Sequence, residues 1–363
     1  MSLQREQLYQ MIRNGEVIEK QSFGPLSLEQ CDLSGGIFAK VTFTGTRLAQ
    51  AQLSECVFNE CVFDNVDLAG ADLSQSTFLK SELLHTSLLD STLDDCRLNE
   101  TRTHGSCFSG IRAHRLAFLK CDLSECRFNA AHLELSVFDE TCMSGADFSM
   151  AVIRKSLFYR LDLRDVRFVQ TQFDSTVFTE SNLAEQTFRG QALNRCQFID
   201  TDLRHVDFTS ASLSHSNFQG ATLEAVVLND VDAPFANFFG ANVNGAQCRG
   251  GRLPNSVWVD ARVRQTDFKG ADLSGAVFQR ADARQSRFIQ ARLDGADFSY
   301  AELSDADFRE ARFERTRICN VTTNASVASE PPWQKHTGVI GNDAALDAAQ
   351  AWSAQRDTHR LHT

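Results

Sequence analysis

No run of eighteen apolar residues occurs in this chain, which excludes a transmembrane helix. Its first residues, MSLQREQLYQMIRNGE, lack the basic patch and apolar stretch of a secretory signal, so a leader is not expected. Positive charge is in deficit: the formal net charge is −11, where a general nucleic-acid binder needs a basic footprint. No Gly-rich phosphate loop, nucleophile elbow or HExxH occurs, which removes the enzyme classes those motifs carry. Tyr and Trp number three each and Pro five in 363 residues, yet Phe reaches 28. A bias that steep towards one aromatic implies one structural slot filled again and again.

That slot is found by reading every fifth residue. From Phe23 the series runs Leu28, Leu33, Phe38, Phe43, Leu48, Leu53, Phe58 and onwards, without a phase break, to Phe308, Phe313 and Ile318. It makes 60 units, of which 26 are Phe and 23 Leu, so no insertion or deletion has disturbed the frame. A second slot two residues earlier is small: Cys56, Cys61, Val66, Ala71, Ser76 and Ser81, and later Ala271, Ala276, Ala281, Ser286 and Ala291. In an extended segment, positions two apart share a face and the residue between them points the other way. A large and a small side chain alternating inward fill a narrow tube at interior density, and the residue between them faces solvent.

The intervening residue is often Asp, as in Ala71-Asp72-Leu73, Ala146-Asp147-Phe148, Ala271-Asp272-Leu273 and Ala296-Asp297-Phe298. Over residues 21–320 this A-(D/N)-(L/F)-x-x motif resembles the pentapeptide-repeat family. The resemblance implies an all-β fold, a right-handed quadrilateral β-helix with four pentapeptides per coil and a turn at each corner. The twenty-residue spacing agrees: the column 38, 58, 78 … 318 holds twelve Phe plus Trp258, and the column 28, 48 … 308 holds nine Phe. Aromatic rings then stack on two opposite sides, and about fifteen coils at ~4.8 Å make a solid, pocketless column of about 72 Å. Two stretches weaken the pattern. Thr103 and Ala113 occupy large slots while Ile111 and Leu116 occupy small ones, and residues 231–256 put Ala233, Val243 and Cys248 inside. Both keep the frame, which predicts a local change of twist.

The domain organisation follows. Residues 1–20 form a helical cap, with Leu8, Met11 and Ile12 on one face and Asn14-Gly15 as the stop. Residues 21–320 are the β-helix. Residues 321–363 are linker and tail, with a short helix possible at 343–356.

Of the eleven cysteines, seven (Cys31, Cys56, Cys61, Cys96, Cys121, Cys126 and Cys196) fall in the small slot and Cys248 in the large one. They read as small core hydrophobes, which fits a reducing, cytoplasmic setting. His104, Cys107 and His114 lie close in sequence, but their spacing matches no zinc pattern, and surface residues are the simpler reading. No catalytic residue, metal or cofactor is expected.

Two surface features exceed what the repeat demands. One is apolar: Ile37, Val57, Val137, Leu157, Val177, Val257 and Val277 flank the main Phe column on one side, and Leu79, Leu119, Tyr159, Ile199, Phe239 and Val259 on the other. By parity all face solvent, where they serve either a flat strand ladder or a partner. The other is acidic: Glu55, Glu60, Asp64, Asp67, Asp72, Glu82, Asp90, Asp94 and Asp95 lie in residues 53–100, whose net charge is −8, against +2 for residues 249–320.

Some pentapeptide-repeat proteins mimic duplex DNA and bind type II topoisomerases, giving gyrase protection, and acidity suits that role. This chain departs from that subgroup in its length, its missing projecting loop, its charge-balanced C-terminal half and its tail. Its opening, MIRNGEVIEKQSFGPLSLEQCDLSGGIFAKVTF, looks like that of accessory pentapeptide proteins of type VI secretion clusters. That resemblance implies a non-enzymatic scaffold or adaptor binding a secretion component or effector; the apolar side would serve that partner or, in a homodimer, a second copy. Gyrase binding is the alternative, and a secreted effector is a third.

Overall fold

The computed structural model describes residues 5–323 and 339–341, and the chain divides into two compact units, Met1–Leu203 and Arg204–Thr363. The helix expected at 343–356 lies outside the described residues.

Both units are parallel β-solenoids built by one local rule. Every large slot from Phe23 to Phe313 and almost every small slot is buried, while the residues between them, Asp267 excepted, are half-buried or exposed. Chain direction changes at every fifth residue, which takes a positive φ, as in Lys40 (55°), Glu60 (53°), His205 (59°) and Arg280 (57°). Left-handed backbone is uncommon outside glycine. Here most such residues place their N–H on the next coil: Lys40 N donates to Asn59 O at 2.9 Å and Gln265 N to Arg284 O at 3.0 Å. The hydrogen bond offsets the strain, and it exists only when another coil is stacked above.

In the first unit, eight three-residue strands form one parallel sheet: Val17–Glu19, Ile37–Ala39, Val57–Asn59, Thr77–Leu79, Arg97–Asn99, Ala117–Leu119, Val137–Asp139 and Leu157–Tyr159. The register is twenty residues throughout, as in Phe38↔Phe58 and Phe138↔Phe158. A second sheet, Ser22–Phe23 to Glu82–Leu84, gives way to another at Arg112–His114 to Gln172–Asp174, ten residues further round the coil. This change of side falls where Thr103 and Ala113 exchange size with Ile111 and Leu116, all of them buried. The second unit, by contrast, is joined mainly by single bridges such as Val257↔Val277 and Arg252↔Asp272.

The Phe columns are ring stacks. Phe138 and Phe158 centroids lie 4.8 Å apart at 13°, and Phe128 meets Phe138 edge-on at 86°. In the second unit Trp258 stacks on Phe238 at 4.0 Å and donates its indole N–H to Ser256 Oγ at 2.7 Å. The helix Arg5–Arg13 buries Leu8 against the first strand. It ends as expected at Gly15 (φ 69°), where Gly15 N reaches Ile12 O and Glu16 N reaches Met11 O, both at 2.9 Å. Within the stretch of linker composition the structure adds something the sequence reading lacks: Val339–Ile340 pair in parallel with Thr316–Arg317, and Ile318 N donates to Ile340 O. Two residues carry no periodicity, so nothing in the composition marked them.

All eight inward cysteines are buried. Burial pushes the thiols of Cys56, Cys126 and Cys196 up to about 12 and those of Cys61 and Cys121 up to about 11, and raises Cys96 and Cys248 as well. Ellman's reagent on the native protein is therefore expected to titrate Cys142 readily and those eight only in denaturant. Fast labelling of more than the three non-buried thiols would contradict the packing. Phe158→Ala is expected to cost about 3–5 kcal/mol in urea unfolding.

Candidate functional site

The apolar residues singled out from the sequence do stand on shared ladders. In the first unit Ile37 and Val57 pair in register, 38 and 39 % exposed, and the structure adds Val17, 49 % exposed, at the start of their ladder. Further along the same sheet Val137, Leu157 and Val177 stack, half-buried by one another. Thr77, Arg97 and Ala117 separate the two runs. On the flanking ladder Leu79 and Leu119 alternate with Asn99, Asp139 follows, and then Tyr159, whose ring lies under the Arg160 guanidinium at 4.6 Å. Ile199 belongs to this side through its carbonyl, which accepts from Glu180 N. In the second unit Val257 and Val277 pair, Val259 lies beside Val257, and Phe239 is 41 % exposed.

Most of the acidic patch is engaged within the fold. Asp67 and Asp72 accept the backbone N–H groups of Ala69 and Ser74 two residues on, at 3.0 Å each. Glu82 pairs with Arg102, Asp95 with Arg115, and Glu60 with Lys40 at 3.7 Å, each across one coil step. Asp94 accepts His114 N at 2.8 Å, and Asp64 holds Asn65. Glu55 and Asp90 sit at exposed corners. His104 and His114 are half a coil apart, near Glu125 and Glu134 respectively, and Cys107 bonds Ser109. Among the described residues no group of three such side chains converges on a metal-sized point.

The expectation of a column without pockets is not met: shallow hollows of about 370–450 Å³ lie beside His114, Arg154 and Arg264, and one larger cleft has a distinct cause. A cleft of about 720 Å³ opens in the first unit between residues 164–172 and 185–192. Its cause is two glutamines in the small slot. Where a regular coil has Ser or Thr in that slot, its hydroxyl often reaches the carbonyl 23 residues earlier: Ser81 to Phe58 O and Ser181 to Phe158 O at 3.1 Å, Ser106 to Leu83 O at 2.7 Å. Gln186 Nε2 reaches the corresponding Leu163 O at 2.7 Å, and Gln191 Nε2 reaches Phe168 O at 3.0 Å. Their longer side chains hold the coil off. Gln186 also takes Arg164 O and Val166 O, and the Phe168–Phe188 stack widens to 6.1 Å. Asp165 alone, besides Pro25, breaks the run of positive φ among the fifth residues from 20 to 320. The signal is present in the sequence, since an amide one methylene longer than serine fits no small slot, but the regular large slots on either side mask it.

In the second unit, carboxylates and guanidiniums interleave. Asp267, almost wholly buried, receives Arg249 at 2.9 Å and Arg287 at 3.3 Å; Asp294 receives Arg292 at 2.8 Å and Arg312 at 3.1 Å. At Asp282 burial pushes the carboxyl up, but hydrogen bonds from Arg284 and Arg264 outweigh it and hold it well below the usual range. A carboxyl depressed by folding stabilises the fold above its ordinary pKa and loses that contribution as pH falls. Melting temperature is therefore expected to drop as pH is lowered from about 4 towards 2. Arg264→Gln should flatten that drop, and an equally steep profile would show that the pairing adds nothing.

Two family models match the chain: one described as pentapeptide repeat region at residues 31–108 and 154–218, the other as pentapeptide repeats (8 copies) at 118–154, 241–280, 259–293 and 276–315. No curated protein sequence matches it. Among solved structures, HetL, a pentapeptide repeat protein involved in heterocyst differentiation regulation in the cyanobacterium Nostoc sp. strain PCC 7120, is 18 % identical. The match covers 86 % of this chain and 96 % of that one, at a TM-score of 0.18. The plasmid-mediated fluoroquinolone resistance protein QnrB1 is 15 % identical over 69 % of this chain and 98 % of that one, with a TM-score of 0.23. A pentapeptide repeat protein of the Arabidopsis thaliana thylakoid lumen is 22 % identical over 36 % and 69 %, with a TM-score of 0.15. Superpositions that poor add nothing to the argument, which rests on the five-residue motif, the inward slots and the family models. The chain belongs to the pentapeptide-repeat family.

Proposed function

We propose that the protein is a non-catalytic scaffold that binds a protein partner through the outward apolar ladder of its first unit. One observation carries this reading: Val17, Ile37 and Val57, and then Val137, Leu157 and Val177, line up in register on a solvent-facing side of a fold whose core is already filled. Contiguous apolar surface of this kind marks interfaces more often than it serves the fold alone. Polar residues elsewhere on the surface are largely spent on ladders and turn caps, which leaves this side as the place where burial yields binding energy. Unpaired, buried thiols fit a reducing, cytoplasmic compartment. The helix leading straight into the repeat array favours an adaptor of the type VI secretion kind, with a secretion component or effector as partner.

Duplex mimicry is the weaker reading. A DNA mimic must present unpaired, evenly spaced carboxylates, whereas Glu60, Glu82 and Asp95 are matched to Lys40, Arg102 and Arg115, and Asp67 and Asp72 face their own turns. A gyrase supercoiling assay with the purified protein is expected to show neither inhibition nor protection.

Val137→Lys combined with Leu157→Asp and Val177→Lys is expected to abolish partner capture from native lysate while circular dichroism and melting stay close to the parent. Undiminished capture by the folded triple variant would refute the docking face.

A further inference from the structure

In regular coils, residues at the intervening position donate to the carbonyl 21 residues earlier: Asn182 to Leu161 O at 2.8 Å, and Gln197 to Thr176 O at 2.9 Å. Between these two the ladder is open. Among the described residues, Thr187 and Ala192 make no such bond to Val166 and Thr171, and Asp165 and Phe168 do not donate to Ala184 and Thr187. The carbonyls of Leu163, Arg164, Val166 and Phe168 are served instead by Gln186 and Gln191. These carbonyls of the lower lip are thus taken by side chains, whereas the N–H groups of Thr187 and Ala192 and the carbonyls of Ala184 and Thr187 on the upper lip stay outside the ladder. Gln191 Oε1 is left without a donor.

We propose that this cleft takes an extended polypeptide segment of a partner protein, which pairs through its backbone with the open ladder groups of Ala184, Thr187 and Ala192. The edge is complementary to an extended chain because its intact counterparts already bond to one: the groups presented by Thr187 and Ala192 are those that Asn182 and Gln197 use within the coil stack. An unpaired strand edge is a template for strand addition. A volume of about 720 Å³ holds a short peptide. The rim carries Arg164, Arg167 and Arg189 against Asp165 and Glu185, a polar surround that suits a main chain better than an apolar anchor. This site is separate from the apolar ladder, so the two can fail independently.

The test uses the full-length chain and its Gln186→Ser/Gln191→Ser variant, in which the slot carries the hydroxyl found in neighbouring coils. Both are panned against a phage-displayed library of random dodecapeptides. Selective enrichment is expected on the parent, with affinity for the selected peptides falling about tenfold or more on the variant, where the ladder closes. On the parent alone, the selected peptide should slow hydrogen exchange at the amides of Thr187 and Ala192, and N-methylation at alternate peptide residues should cost a similar factor. Enrichment on neither protein or equal enrichment on both overturns the proposal. So does an N-methylated analogue that binds as well as its parent.

Discussion

Everything in this fold leans on the backbone hydrogen bond that nearly all corner residues make to the coil above them. A left-handed residue costs about 1–2 kcal/mol in isolation, and this chain places non-glycine side chains there dozens of times. The N–H of that residue is aimed along the stacking direction and finds a carbonyl such as Asn59 O or Arg284 O. Corners at fixed intervals make sides of fixed length, and fixed sides hold the inward parity of large and small slots. Constant parity is what brings Phe over Phe. No coil is stable alone, because its corners and its rings are completed by the neighbours.

The cleft illustrates the same dependence by its failure. Where Gln186 and Gln191 hold the coil away, the bond that Asp165 would have made to Ala184 is missing, and Asp165 relaxes out of the left-handed region. The corner and the ladder are lost together. Elsewhere the surface is largely self-satisfied, as the Asp267 and Asp294 clusters show. Binding capacity is then confined to sites where satisfaction is incomplete: the apolar ladder, which has no polar groups to satisfy, and the open edge, which has groups without partners.

The interior was almost fully legible from residue spacing, since it depends on side-chain size at two positions of five. The eight inward cysteines, the Phe stacks and the Gly15 helix stop were all readable for that reason. The exterior was legible only in part. Parity placed Val137, Leu157 and Val177 outside, but could not show that Glu82 and Asp95 face arginines one coil later, because those contacts depend on side-chain reach. The shift of the second sheet between Leu84 and Arg112 and the strand Val339–Ile340 arise from local turn geometry and from pairing distant in sequence. The cleft leaves the large-slot pattern intact, and its cause, an oversized amide in a small slot, shows only when side-chain length there is weighed.

The twenty-residue register also governs how such a chain can change length. Losing five residues within a unit would keep every inward slot inward, yet would carry all later residues one side round the coil. Phe158 would no longer cover Phe138, and Arg280 would lose Asp260. Only whole-coil steps leave both stacks and ion pairs intact, so duplication or loss of twenty residues is the smallest silent edit open to this architecture.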